Sequence, residues 1–143
     1  MASKEGDERT GSANRIVVGF DGSETGMRAL EWAAHQADLT GSLLEIHTAY
    51  EPGYSFITHA EVKRDMERLV GEGVARVSEL APGVTTKGEI HEASPAEVLI
   101  DASEGANLLV VGTRGLGGFK GLLLGSVSQK CSHHAHCAIA IIR

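Results

Sequence analysis

Cysteine is scarce, basic charge is outweighed and long apolar runs are missing, and each shortage removes a class of protein. The 143 residues hold only two cysteines, Cys131 and Cys137, close together near the C-terminus. That is a poor disulfide framework. With a polar, charged start that contains no signal-like apolar segment, it points to two buried thiols in a reducing compartment, so the expected location is cytoplasmic. Lysine and arginine number 13 against 19 aspartates and glutamates, a formal charge of -6. Binding along a nucleic-acid backbone needs a net basic face, so nucleic acid is excluded as the main partner and any polyanion bound must be small. No stretch reaches the ~20 apolar residues of a membrane helix, and no membrane contact is expected.

Several familiar site signatures are missing as well. A Walker loop needs Lys between its last glycine and Ser/Thr, and Gly125-Ser126 has none. The dinucleotide fingerprint belongs at the first strand-to-helix turn, which carries only Asp21-Gly22-Ser23. The run Cys131-Ser132-His133-His134-Ala135-His136-Cys137 has the wrong spacing for a zinc module, so these histidines are read as a surface helix end and no metal site is expected. No nucleophilic elbow follows a strand and no carboxylate pair flanks the glycines, so strong catalysis is not expected.

What remains is a regular alternation in a length suited to one domain. Met1 to Asn14 reads as a disordered tail, and residues 15–143 as the domain. Apolar, β-branched runs at Arg15–Phe20, Leu43–Ala49, Val84–His91, Asn107–Val111 and Cys137–Ile142 predict strands. Helical periodicity predicts helices over Glu24–Asp38, Thr58–Leu80, Pro95–Ser103 and Ser126–Ala135. Ser23 caps the first helix in this reading. Ser94-Pro95-Ala96-Glu97 and Ser126-Val127-Ser128-Gln129 both spell capping boxes. The order β-α-β-α-β-α-β-α-β implies an α/β fold, a doubly wound, open, five-stranded parallel sheet with helices on both faces.

In such sheets ligands bind at the carboxyl ends of the strands where the winding reverses. Two loops suit that place. Gly112-Thr113-Arg114-Gly115 follows a strand and Gly125-Ser126 opens a helix, so backbone N–H groups and a helix N-terminus can cradle a phosphate. Arg114 is the natural cation to reach it, with Lys120 a possible helper. Asp21, at the end of the first strand, repels a bare phosphate; it suits a sugar or base, or a metal bridging to phosphate, or simply an Asx-turn.

The spacing Gly112-x2-Gly115-x9-Gly125-Ser126, with Asn107-Leu108-Leu109-Val110-Val111 before it and Val17-Val18-Gly19-Phe20-Asp21-Gly22-Ser23 at the first strand, resembles the ATP-binding branch of the universal stress protein family. The resemblance runs from Arg15 to Arg143. It implies strand order 3-2-1-4-5, a homodimer formed through the last strand, and ATP with Mg²⁺ or Mn²⁺ as the bound cofactor. By matching positions, Asp21 contacts the nucleoside, Thr48 lines the adenine pocket, and Gly112, Arg114, Gly115, Gly125, Ser126 and Val127 surround the phosphates. A stress-response sensor or regulator with at most slow hydrolysis or autophosphorylation follows; a binder of AMP or cyclic AMP and a non-nucleotide dimeric interaction protein are the alternatives. The chain departs from the family's Cys-Pro-Val with Cys137-Ala138-Ile139, which leaves an N–H at Ala138 on the last strand.

Overall fold

The computed structural model describes residues 14–51, 58–115 and 124–143. The segments 1–13, 52–57 and 116–123 lie outside it, and with them the expected N-terminal tail, most of the loop after the second strand, and Lys120. Five strands form: β1 (Arg15–Gly19), β2 (Leu43–Tyr50), β3 (Thr86–Glu92), β4 (Leu108–Gly112) and β5 (Ala138–Ile142). They pair in parallel in the order β3-β2-β1-β4-β5, as the resemblance implies. The central strands read as unbroken apolar runs because both faces of the sheet are covered. Val17 belongs to one core cluster and its neighbours Ile16 and Val18 to the other.

Four helices supply the cover: α1 (Glu24–Thr40), α2 (His59–Leu80), α3 (Pro95–Ser103) and α4 (Ser126–His134). Leu30, Ala34 and Ala37 of α1 and Val77 of α2 pack with Ile16, Val18 and Ile46 on one face. Leu99 of α3 and Cys131 of α4 pack with Val17, Leu109 and Val111 on the other. Leu30 is fully buried, a burial worth about 1.5–3 kcal/mol for a leucine side chain. Trp32 packs at the flank of α1, half-buried, as its position off the apolar stripe predicts.

The helix ends correct several sequence readings. Ser23 does cap α1, its hydroxyl accepting from Gly26 N–H at 3.1 Å. Helix α2 opens on a capping box between Thr58 and Glu61. The Thr58 donors hold the Glu61 carboxyl below its usual range, with the backbone N–H the larger influence. Ser94 begins α3, yet its side chain makes no capping bond. Ser126 is not a cap at all: Gly125 holds that position, and Ser126 is the first helical residue with an exposed side chain. Asn14 belongs to the fold, donating to Gly41 O at 3.1 Å and accepting from the Ser42 hydroxyl at 3.1 Å.

Only one of the two thiols is fully buried. Cys131 lies in the core and burial pushes its pKa up to about 11. Cys137 is half-exposed, with a smaller rise from the same cause.

Candidate functional site

Strand β1 pairs with β2 on one side and β4 on the other, so the winding reverses there and the loops leaving β1 and β4 diverge. The crevice between them is where a doubly wound sheet takes ligands. A cleft of about 270 Å³ opens at this point. Asp21, Ser23, Arg114 and Ser126 give it polar edges, while Ala49, Val98, Leu99 and Val111 supply apolar wall. Gly19, Gly26, Gly112, Gly115 and Gly125 all line it.

Asp21 takes the Asx-turn role and also borders the cleft. Its Oδ1 accepts from Ser23 N–H at 2.9 Å, the Asx-turn that steers the chain into α1. Its Oδ2 faces the opposite loop: a Cβ added at Gly115 would come to 2.8 Å from it. The two loops are thus in near contact, and the glycine is what leaves room between them.

The β4 loop is organised by a residue that sequence reasoning passed over. Thr113 N–H donates to Ile142 O at 2.8 Å, while Thr113 O accepts from Gly125 N–H at 2.6 Å and from the Ser128 hydroxyl at 2.9 Å. These bonds bring Gly125 and the start of α4 back onto Gly112–Gly115. Thr25 of α1 closes the arrangement by donating its hydroxyl to Arg114 O. Helix α4 has Gly125 at its cap position, which offers no side chain to cap it. Its first-turn N–H groups have no partner within the helix and sit beside the cleft, which Ser126, Val127 and Ser128 line.

The expected site residues come together with one exception. Asp21, Gly112, Arg114, Gly115, Gly125, Ser126 and Val127 all border the cleft. Thr48 does not. Its side chain is buried on the other face of the sheet, and its hydroxyl donates to Phe20 O at 2.8 Å. Successive side chains of a strand alternate between faces, so the cleft takes Thr48's neighbours His47 and Ala49 instead. Pro95, Val98 and Leu99 of α3 also form wall, a contribution the sequence reading did not assign.

A second group of chemistry-bearing residues lies on β2 and β3. His47 is nearly buried and its ring stacks on His91, with centroids 5.1 Å apart. Burial, and then the neighbouring His47, hold the His91 pKa below its ordinary value, against a smaller opposing pull from Glu89. The hydrogen bond from Lys87 holds the Glu89 carboxyl low, against the opposing effect of burial. No local sequence pattern marks this group, because His47 and His91 are joined only by strand register: His47 pairs with Glu89, and Ala49 with His91.

The architecture and cleft define a doubly wound α/β protein with a glycine-lined crevice at its switch point. Residues 13–143 match the model of the universal stress protein family. A universal stress protein of Thermus aquaticus is 36% identical over 136 residues, covering 90% of this chain and 97% of its own. Another, from Mycobacterium tuberculosis, is 35% identical over 140 residues; the match covers 89% of this chain but 46% of the relative, so the chain spans about half that protein's length. Among solved structures, a universal stress protein in complex with cAMP is similar with a TM-score of 0.75 and 27% identity, over 92% of this chain and 98% of that one. The chain belongs to the universal stress protein family. Among the described residues no helix is long and apolar enough to cross a membrane.

Proposed function

We propose that this protein binds an adenine nucleotide, ATP foremost, in the cleft between the Asp21 turn and the Gly112–Gly115 loop, and acts as a cytoplasmic stress-response sensor or regulator. The observation that carries the reading is the near contact of Asp21 Oδ2 with Gly115 beside the uncapped start of α4. Phosphates lie against the backbone N–H groups of Ser126 to Ser128 and the Arg114 guanidinium, where helix N-terminus and cation act together. Asp21 then meets ribose hydroxyls, which donate to a carboxylate, and the apolar wall of Ala49, Val98 and Leu99 meets the base. The Asp21 carboxylate is also a hard oxygen ligand of the kind Mg²⁺ or Mn²⁺ takes beside phosphate oxygens. Nothing in the cleft pairs a base with a nucleophile among the described residues, so turnover is at most slow hydrolysis or autophosphorylation.

The related structure in complex with cAMP supports a second reading, in which a monophosphate is the ligand. Calorimetric titration with ATP, AMP and cAMP separates the two. The first reading predicts that ATP with Mg²⁺ binds at least about tenfold tighter than either monophosphate, roughly 1.4 kcal/mol. Tighter binding of cAMP would select the second.

The placement of Thr48 has its own expected outcome. Thr48→Val removes the donor to Phe20 O, so the urea midpoint falls by the equivalent of about 1–3 kcal/mol, while nucleotide affinity stays unchanged. A lost affinity with unchanged stability would return Thr48 to the pocket. The proposal includes a homodimer. Strand β5 closes one edge of the sheet with the half-exposed run Ala138–Ile142, and a second copy pairing along it covers that edge. Sedimentation equilibrium at twice the chain mass is the expected result, and a monomer at all concentrations would contradict it.

A further inference from the structure

On the sheet face that carries α3, β2 presents Glu45 and His47 and β3 presents Lys87, Glu89 and His91. Helix α3 packs over β1, β2 and β4. The polar residues at the β2–β3 edge therefore organise among themselves. Three of their atoms converge on one point: His47 Nδ1 lies 2.9 Å from His91 Nε2, His47 Nδ1 lies 3.6 Å from a Glu89 oxygen, and His91 Nε2 lies 3.5 Å from that same oxygen. Ligand atoms held about 2.0–2.1 Å from a tetrahedral zinc ion stand about 3.3–3.4 Å from one another. The triangle's sides of 2.9, 3.5 and 3.6 Å lie within about 0.5 Å of that spacing, the shortest being the imidazole pair that shares a proton.

We propose that His47, Glu89 and His91 form a site for a divalent transition-metal ion of the zinc class, with water in the fourth position. Two imidazoles and one carboxylate suit zinc, whereas Mg²⁺ prefers oxygen ligands, so this site is distinct in chemistry from any cation that accompanies a nucleotide. The surrounding contacts orient the ligands. His47 Nε2 lies 3.1 Å from Glu45 Oε2, and donating its proton there leaves Nδ1 as the lone-pair nitrogen facing the site. The Arg15 guanidinium fixes that same Glu45 oxygen at 3.0 Å. Lys87 takes Glu89 Oε1 at 3.0 Å and leaves Oε2 toward the histidines. The side chains of Glu89 and His91 are each 32% exposed, which gives the ion an entry path and its water ligand a place. On binding, the cation takes the place of the proton shared by the two imidazoles; His91 gives up its Nε2 proton to solvent and takes one up at Nδ1, so the ring ligates as a neutral imidazole.

Titration of the untagged, nucleotide-free chain with Co²⁺ tests the site through its visible absorption. The expected result is an intense band of tetrahedral type that saturates at one ion per chain and is displaced by Zn²⁺. His91→Ala and Glu89→Gln, both at half-exposed positions, are expected to abolish the band with far-UV circular dichroism unchanged. Glu45→Gln should weaken binding about 10–100-fold by releasing the orientation of His47. A double change, His133→Ala with His134→Ala, should leave the band intact. No stoichiometric band in the folded wild-type chain, or a band equally strong in His91→Ala, would overturn the proposal.

Discussion

Replacing Gly115 with glutamate is expected to weaken ATP binding at least about 100-fold, roughly 2.8 kcal/mol, with little change in thermal stability. Gly115 is exposed, and among the described residues a Cβ there would meet one atom, Asp21 Oδ2, at 2.8 Å. A carboxylate can swing aside, so the fold tolerates the change. The site does not, because Asp21 Oδ1 is already committed to Ser23 N–H and any swing breaks the turn that aims it. The new carboxylate also brings negative charge to the place proposed for phosphate, where like charges repel strongly in a partly enclosed cleft. Gly115→Ala isolates the steric part and should lie between the two. Calorimetry paired with a melting curve reads both effects, and unchanged affinity in a folded Gly115→Glu chain would remove Gly115 from the site.

Gly112→Val should do the reverse, costing about 3 kcal/mol of stability, the upper part of the range for overpacking. A Cβ at Gly112 would stand 2.8 Å from the Thr25 carbonyl carbon and 2.9 Å from its oxygen. These are backbone atoms in the first turn of α1, and they cannot move without lifting the helix from β4. The same turn carries the Ser23 cap and the Thr25 bond to Arg114 O, so nucleotide binding falls with the fold. Two glycines three residues apart thus serve different ends. Gly112 permits a helix to approach a strand, and Gly115 permits two loops to face each other. An unchanged urea midpoint for Gly112→Val would contradict the first assignment.

The order of elements was legible because apolar runs and helical stripes alternate cleanly, and Ser23 was legible as a cap because it stands directly before a periodic segment. The glycine spacing led to the cleft at the switch point for the same local reason: close backbone approach leaves its mark in composition. What escaped depends on direction or register. Thr48, matched to the pocket by resemblance, has its side chain on the opposite face from the cleft, and because β2 is buried along its centre on both faces no alternation shows which of its residues face α3. Ser126 looked like a cap because its own helix offered Gln129, yet the Thr113 bonds draw the preceding residue, Gly125, into that position. Glu45, His47, Glu89 and His91 become neighbours only once β2 and β3 are laid side by side. No local pattern announces them.

Native mass spectrometry of the chain, as purified from cells and again after incubation with ATP and Mg²⁺, tests the central claim most directly. One adenine nucleotide per chain is expected in the incubated sample, with no such increment in Gly115→Glu. An incubated wild-type chain that carries no nucleotide, or a Gly115→Glu chain that carries it equally, would contradict a nucleotide site between Asp21 and the glycine loop.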